Sequence, residues 1–209
     1  MQIRINIDKE QTRKSIVEKL KKRASSVFGS KMKLIQPAVE RILYQEISKQ
    51  PELDSIRNGA LRVEFGLDQA RAEAAAEGIA RVFARSVRVN NPPLTALLTG
   101  RISLVLIKPT YDEFYSQVPA NNLTSVNGFN VPWLKWLFEE AQSVRIVGWR
   151  VMHKAGGRSG EGFMIKHKGR FWSMPAPFDQ PESNNLLNRV LRSRETQLEI
   201  EKAISKILN

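Results

Sequence analysis

The stretch that decides the fold is KKRASSVFGSKMKLIQPAVERILYQEISKQPE, residues 21–52. From Lys31 to Lys49, apolar residues recur every three or four positions, which is the spacing that gives a helix one apolar face. These residues are Ile35, Val39, Ile42, Leu43 and Ile47. Pro37 lies inside the run, and an interior proline removes a hydrogen bond and clashes with the preceding turn. We therefore expect either a helix that begins near Pro37 or one long helix that is kinked there.

The same helical spacing continues toward the N-terminus. Ile16, Leu20 and Ala24 extend the apolar face, and Gly29 weakens or interrupts the helix. Asp8 is followed three residues later by Gln11, which is typical of a capping box at a helix start. Residues 2–7 alternate polar and apolar side chains, as a half-buried strand does.

Downstream of residue 52, alternating patterns indicate strands and helical patterns separate them. Leu61, Val63 and Phe65 alternate with Arg62 and Glu64, which predicts a strand over 61–66. Further strands are expected at 87–89, 101–108, 144–152, 163–168 and 171–174, with a tight turn at Gly169, and helices at 68–84, 132–142, 184–191 and 194–208. The sum is an α+β fold: a long kinked N-terminal helix packed on a mostly antiparallel sheet, with an inserted helical and loop segment and a C-terminal helix.

The run Asn90-Asn91-Pro92-Pro93 marks a boundary in the chain. We assign 1–90 to the N-terminal strand, the long helix and the first part of the sheet. Residues 91–142 read as an inserted loop and helix lobe, whose helix opens at Pro132 and carries Trp133 and Trp136. Residues 143–209 read as a hairpin and helix that complete the first domain.

Composition favours binding over catalysis. The chain has no cysteine, which excludes disulfides, thiolate metal sites and cysteine nucleophiles. No G-x-S-x-G or S-x-x-K nucleophile motif is present, so we expect no enzyme and no cofactor. The net charge of +12 predicts attraction to phosphate polymers or acidic protein surfaces. No apolar run approaches the length of a membrane span, so no membrane partner is expected.

A glycine-rich loop, AGGRSGEG at 155–162, is flanked by the chain's two histidines, His153 and His167. It lacks the lysine and following helix of a phosphate-binding loop, so it reads as a mobile hairpin connection. The alternative is an assembly loop that orders on a partner. Its candidate residues are Gly156, Gly157, Ser159 and Gly160. The histidines are expected to face each other across the hairpin, but two ligands do not make a zinc site.

Basic residues concentrate in two segments. The first lies on the N-terminal helix and includes Lys21, Lys22 and Arg23. The second contains Arg145, Arg150, Lys154, Arg158, Lys166, Lys168 and Arg170. In the second segment Trp149, Phe171 and Trp172 are interleaved, which is typical of strands that bind nucleic acid. The competing interpretation turns most of the aromatics toward the core, and it places Trp172 there.

The order of the parts resembles the head–tail joining and tail-completion (neck) proteins of tailed bacteriophages. The resemblance rests on the basic proline-containing helix quoted above, on SIRNGALRVEFGL at 55–67, on the late hairpin with its FWSMPAPF run at 171–178, and on the closing helix. It covers about 1–67 and 144–209, while 91–142 departs from the compact family pattern.

The resemblance implies a non-catalytic structural virion protein, made in the host cytoplasm. Such proteins dock as homo-oligomeric rings, often of six copies, beside portal, connector or tail proteins. A basic surface facing the lumen of such a ring can lie along the DNA channel. The alternative from charge alone is a non-specific nucleic-acid-binding protein.

Overall fold

The computed structural model describes residues 9–90, 103–107, 109–117, 133–142, 145–157, 159–176 and 178–208. The expected α+β class is confirmed, with a long bent N-terminal helix, antiparallel strands and a C-terminal helix. The strand predicted over 2–7 and its capping residue Asp8 lie outside the described residues.

The described elements follow the chain in this order. The helices are α1 (Lys9–Ser48), α2 (Pro51–Asn58), α3 (Ala60–Glu64), α4 (Gln69–Ala84), α5 (Tyr111–Gln117), α6 (Trp133–Lys135), α7 (Leu186–Arg192) and α8 (Arg194–Leu208). A π-helical turn, Trp136–Glu140, continues α6, and a 3-10 turn, Glu182–Asn184, precedes α7. The strands are β1 (Val87–Asn90), β2 (Ser103–Leu106), β3 (Arg145–Met152) and β4 (Phe163–Ser173).

Helix α1 is continuous through both Gly29 and Pro37. Of the two readings of Pro37, one long bent helix is therefore the one observed. The proline has no N–H to donate to the carbonyl one turn earlier, and such a break in the ladder is a common cause of a bend. At 1.5 Å per residue, the helix is about 60 Å long.

The core forms around the C-terminal half of α1. Ile35, Val39, Leu43 and Ile47 are at most 1% exposed, and they form one i, i+4 row. This row packs mainly against α4 and α8, and α1 also contacts β1. Helix α4 is rich in alanine and is capped by Asp68, whose side chain accepts a hydrogen bond from the Arg71 N–H at 2.8 Å.

The strand predicted over 61–66 is wrong, because these residues form α3 and the turn after it. Leu61 and Phe65 are both buried, and they are four residues apart, so one helical turn places them on the same face. A short alternation of three apolar residues therefore fits a helical turn as well as a β-strand. The Ser55 hydroxyl accepts a hydrogen bond from the Leu61 N–H at 3.1 Å, which fixes the junction between α2 and α3.

The strands form two separate antiparallel pairs, β1 with β2 and β3 with β4. The prediction of two strands separated by a tight turn at Gly169 is wrong, because 163–173 is one strand that pairs with β3 on both sides of Gly169. The pairing shifts between Val147, opposite Phe171, and Trp149, opposite Lys166, so residues 167–170 bulge out of the ladder. Gly148 and Gly169 both have φ near +80°, a conformation that β-bulges commonly require of glycine.

Residues 133–142 contribute to the same core as α1 and α4. Trp133 and Leu134 are fully buried, and the Trp133 ring stacks on Phe65 with centroids 5.0 Å apart. Asn185 caps α7, and its side-chain amide donates to the Phe138 carbonyl at 3.0 Å. The assignment of 91–142 to an inserted lobe stays a prediction, because more than half of that segment lies outside the described residues.

Candidate docking surfaces

The N-terminal half of α1 carries no buried side chain among those described before Ile35. Ile16, Leu20, Val27 and Leu34 are instead 53%, 48%, 50% and 59% exposed. With 3.6 residues per turn, these four side chains fall within an arc of about 40° on the helix. We call them the α1 strip. A line of large aliphatic side chains facing solvent on a basic helix is typical of a surface that meets another molecule.

Basic side chains surround the α1 strip. Nine lysines and arginines lie between residues 9 and 34, against Glu10 and Glu18 alone. Of the predicted contact residues, Arg23 is exposed and lies within about 20° of the strip. Lys22 is exposed on the far side, and Lys21 is half-buried. The structure therefore brings only Arg23 of these three beside the apolar side chains.

The β3–β4 pair presents the second basic segment. Arg145, Lys154, Lys166, Lys168 and Arg170 are exposed, whereas Arg150 is half-buried. Arg158 lies outside the described residues. Lys168 and Arg170 fall in the bulge, on a different part of the strand from Arg145. The predicted set is therefore spread along the pair rather than gathered at one point.

One aromatic residue of this pair faces solvent and its neighbour faces the core. Trp172 is 5% exposed, as expected, but Phe171 is 56% exposed. The Arg145 guanidinium lies over the Phe171 ring, 5.5 Å from its centroid, and Val147 opposite it is 79% exposed. The core interpretation therefore holds for Trp172 and fails for Phe171. Phe171, Arg145 and Val147 together form what we call the Phe171 patch.

The glycine-rich loop is tied to α3. The Ser159 hydroxyl donates to the Gly162 carbonyl at 2.9 Å and accepts from the N–H groups of Glu161 and Gly162. The Arg62 guanidinium donates to the Ser159 carbonyl at 3.2 Å and pairs with Glu161. The Ser159 side chain is therefore fully engaged within the chain. Gly156, Gly157 and Gly160 are exposed, and their role in assembly stays a prediction.

Glu64 links α3 to β4 through a partly buried hydrogen bond. Its carboxylate accepts a hydrogen bond from the Trp172 indole N–H at 2.5 Å, and His153 Nε2 lies 3.6 Å away. Burial raises the pKa of Glu64 above its ordinary value, although the hydrogen bond and His153 act in the opposite direction. His153 therefore faces Glu64 rather than His167, which lies in the bulge. Sequence reasoning missed Glu64 because a strand assignment over 61–66 gave no reason to place it near Trp172.

The described residues include an open cleft but no cluster of metal-ligating side chains. No group of three or more His, Cys, Asp or Glu side chains converges on a metal position among them. An open cleft of about 270 Å³ lies between α4, β1 and α5. Its residues are Val82, Arg85, Ser86, Arg88, Ile107, Pro109 and Glu113. The Glu113 carboxylate there accepts from the Thr110 N–H at 2.8 Å, which is a local turn contact.

No protein-family model, curated protein or solved structure matches the chain. Within the described ranges, no helix combines the length and the apolarity needed to cross a bilayer. The α1 strip and the Phe171 patch are thus the two surfaces on which a functional proposal rests.

Proposed function

We propose that this protein is a structural virion protein of a tailed bacteriophage. It docks without catalysis as a ring at the head–tail interface, as a neck, connector or tail-completion protein. The observation that carries the proposal is the α1 strip, which exposes large aliphatic side chains on a helix whose other half is anchored in the core. A helix that is packed in the core at one end and exposed at the other can connect its own domain to another protein.

Two further features support an assembly role. The motifs that carry the resemblance to neck proteins, at 21–52, 55–67 and 171–178, lie on α1, on α2 and α3, and on β4 with the residues after it. The excess of positive charge suits a position beside packaged DNA or an acidic neighbouring subunit. In a ring, contacts repeated between copies strengthen docking without a large interface on any one copy.

The Phe171 patch favours a second candidate, a non-specific nucleic-acid-binding protein. An exposed aromatic ring beside an arginine is a surface on which a base stacks while the phosphate chain is neutralised. Binding of this kind weakens steeply as salt rises, since it releases counterions from the nucleic acid.

The two candidates differ in what the purified chain does. Light scattering after gel filtration is expected to show a ring, formed by the chain alone or with portal, connector or tail proteins. A separate binding measurement is expected to show only weak binding to DNA at physiological salt. The variant Leu20→Gln/Val27→Gln is expected to lose assembly with portal, connector or tail proteins, whereas Ser15→Gln/Ser26→Gln, on an exposed face of the same helix, is expected to keep it. A chain that stays monomeric with every such partner and binds DNA tightly with a steep salt slope would replace the first candidate by the second.

A further inference from the structure

Helix α8 packs along the C-terminal half of α1, next to the strip. At one end of α8 the Lys31 ammonium donates to the Leu208 carbonyl at 2.5 Å. At the other end, Glu46 raises the pKa of Lys49, and the charges of Glu199 and Glu195 on α8 raise it further. The two helices are therefore antiparallel, and α8 lies along α1 between residues 31 and 49.

The α1 strip lies beside the face that α8 covers, because Leu34, within the segment that α8 follows, is still 59% exposed. Lys31 and Lys49 are about five helical turns apart, so they lie on one line along the helix. Leu20 and Val27 lie within about 40° of that line, on the N-terminal side of the point where α8 ends. Ile200 and Ile204 of α8 pack in or against the core, whereas Leu20 and Val27, beyond the end of α8, are exposed.

The positive charge of the N-terminal half of α1 indicates which kind of molecule binds the α1 strip. The half-helix carries nine basic and two acidic residues. A second copy of the same half would oppose like charges along the whole contact, which is destabilising. A nucleic acid would neutralise the charge but leave the aliphatic side chains without an apolar partner. An acidic helix with its own apolar face satisfies both requirements.

We propose that the α1 strip binds an acidic amphipathic helix supplied by a different protein chain, packed along α1 on the N-terminal side of α8. The inference rests on the proposed function, because it names the partner of the docking surface assigned there. Apolar side chains of the incoming helix pack on Ile16, Leu20 and Val27, which lie on the N-terminal side of the end of α8. Its carboxylates meet the basic side chains on either side, including Arg23.

The test uses the full chain and a probe built from its own α8. The acidic probe is a fluorescent peptide of residues 194–208 carrying Lys202→Glu and Lys206→Glu. The basic control peptide keeps both lysines and carries Glu195→Lys, Glu199→Lys and Glu201→Lys. Fluorescence anisotropy is expected to show at least about tenfold tighter binding of the acidic peptide, with the difference shrinking as salt rises.

Protein variants locate the binding. Leu20→Gln/Val27→Gln is expected to weaken binding of the acidic peptide at least about tenfold, whereas Ser15→Gln/Ser26→Gln changes it by less than about twofold. Glutamine favours helices, and circular dichroism verifies that each variant keeps its helical content. Equal binding of the two peptides, no binding, or unchanged binding by the strip variant overturns the proposal.

Other occupants give distinct results. Self-association that disappears in the strip variant, without peptide binding, assigns the strip to a second copy and overturns the proposal. Strip-dependent binding to vesicles of phosphatidylserine and phosphatidylcholine, again without peptide binding, assigns it to a lipid surface and also overturns it. Ring assembly without peptide binding overturns this inference alone. Peptide binding by a chain that forms no ring contradicts the proposed function alone.

Discussion

At the scale of single residues, Glu64 is the side chain with the clearest electrostatic consequence. It is a carboxylate whose side chain is 11% exposed, and it joins α3 to Trp172 of β4. Burial favours its neutral form, so the folded chain holds the proton to a higher pH than the unfolded chain does. Glu64 therefore favours folding fully below the ordinary pKa of 4.5, and this contribution is lost as pH rises through the raised value.

Glu64→Gln is expected to remove this pH dependence. Glutamine still accepts the indole hydrogen bond but carries no charge at any pH. The melting temperature of the variant relative to the native chain is therefore expected to rise between about pH 4 and about pH 7. Calorimetry measures it, and Glu201→Gln, at an exposed position of α8, is the matched control. Parallel profiles for Glu64→Gln and the native chain would mean that the carboxylate is solvated in the folded state.

At the scale of elements, neighbouring residues of β4 separate stability from binding. The Trp172 ring packs 5.2 Å from Trp136 and 6.5 Å from Phe65, whereas Phe171 next to it faces solvent beneath Arg145. Alternation along a strand requires this opposition. The sequence predicts that Trp172 meets the core, and its burial confirms this orientation.

Trp172→Ala is expected to lower the free energy of unfolding by about 3–5 kcal/mol, since it empties a site in the core. Phe171→Ala is expected to lower it by no more than about 1 kcal/mol, because only an exposed contact with Arg145 is lost. Urea denaturation followed by circular dichroism measures both variants. Similar losses for the two would contradict the orientation of β4.

The elements also show where pattern reading succeeds. Helix α8 spans the predicted residues 194–208, and α4 and β3 begin within one residue of their predicted starts, because each has a long run of one period. The failures are at 61–66 and at Gly169. In the first, three apolar residues are too few to separate a strand from a helical turn. In the second, a bulge and a turn require the same glycine conformation.

At the scale of the whole molecule, packing is concentrated at one end of α1. Residues 35–47 belong to the core with α4 and α8, while the described side chains of 10–34 are exposed or half-buried. The helical hydrogen bonds of the N-terminal half therefore have little tertiary packing to support them. Local opening there costs less free energy than unfolding the core.

Hydrogen exchange is expected to divide α1 in two. Amides of 37–47, apart from Pro37, which has none, are expected to exchange at the slow rate of α4. Amides of 13–30 are expected to exchange at least about a hundredfold faster, since their opening does not require the core to unfold. Mass spectrometry of the exchanged chain measures both segments. Uniform protection along α1 would show that the N-terminal half is packed in solution. Binding of the acidic peptide is expected to slow the exchange of amides 13–30.

The sequence by itself determined the local periodicities: the long helix, most of the strands, the closing helix and the basic charge. It also determined the lack of recognisable nucleophile or thiolate motifs, since these depend only on which residues occur and at what spacing. Only the tertiary structure decided that α8 packs on the C-terminal half of α1 while the described side chains of the N-terminal half are exposed or half-buried. It also decided that Glu64 contacts Trp172 and that Phe171 faces solvent. The physical reason is that burial depends on what lies opposite a side chain, and those partners are up to 177 residues apart along the chain.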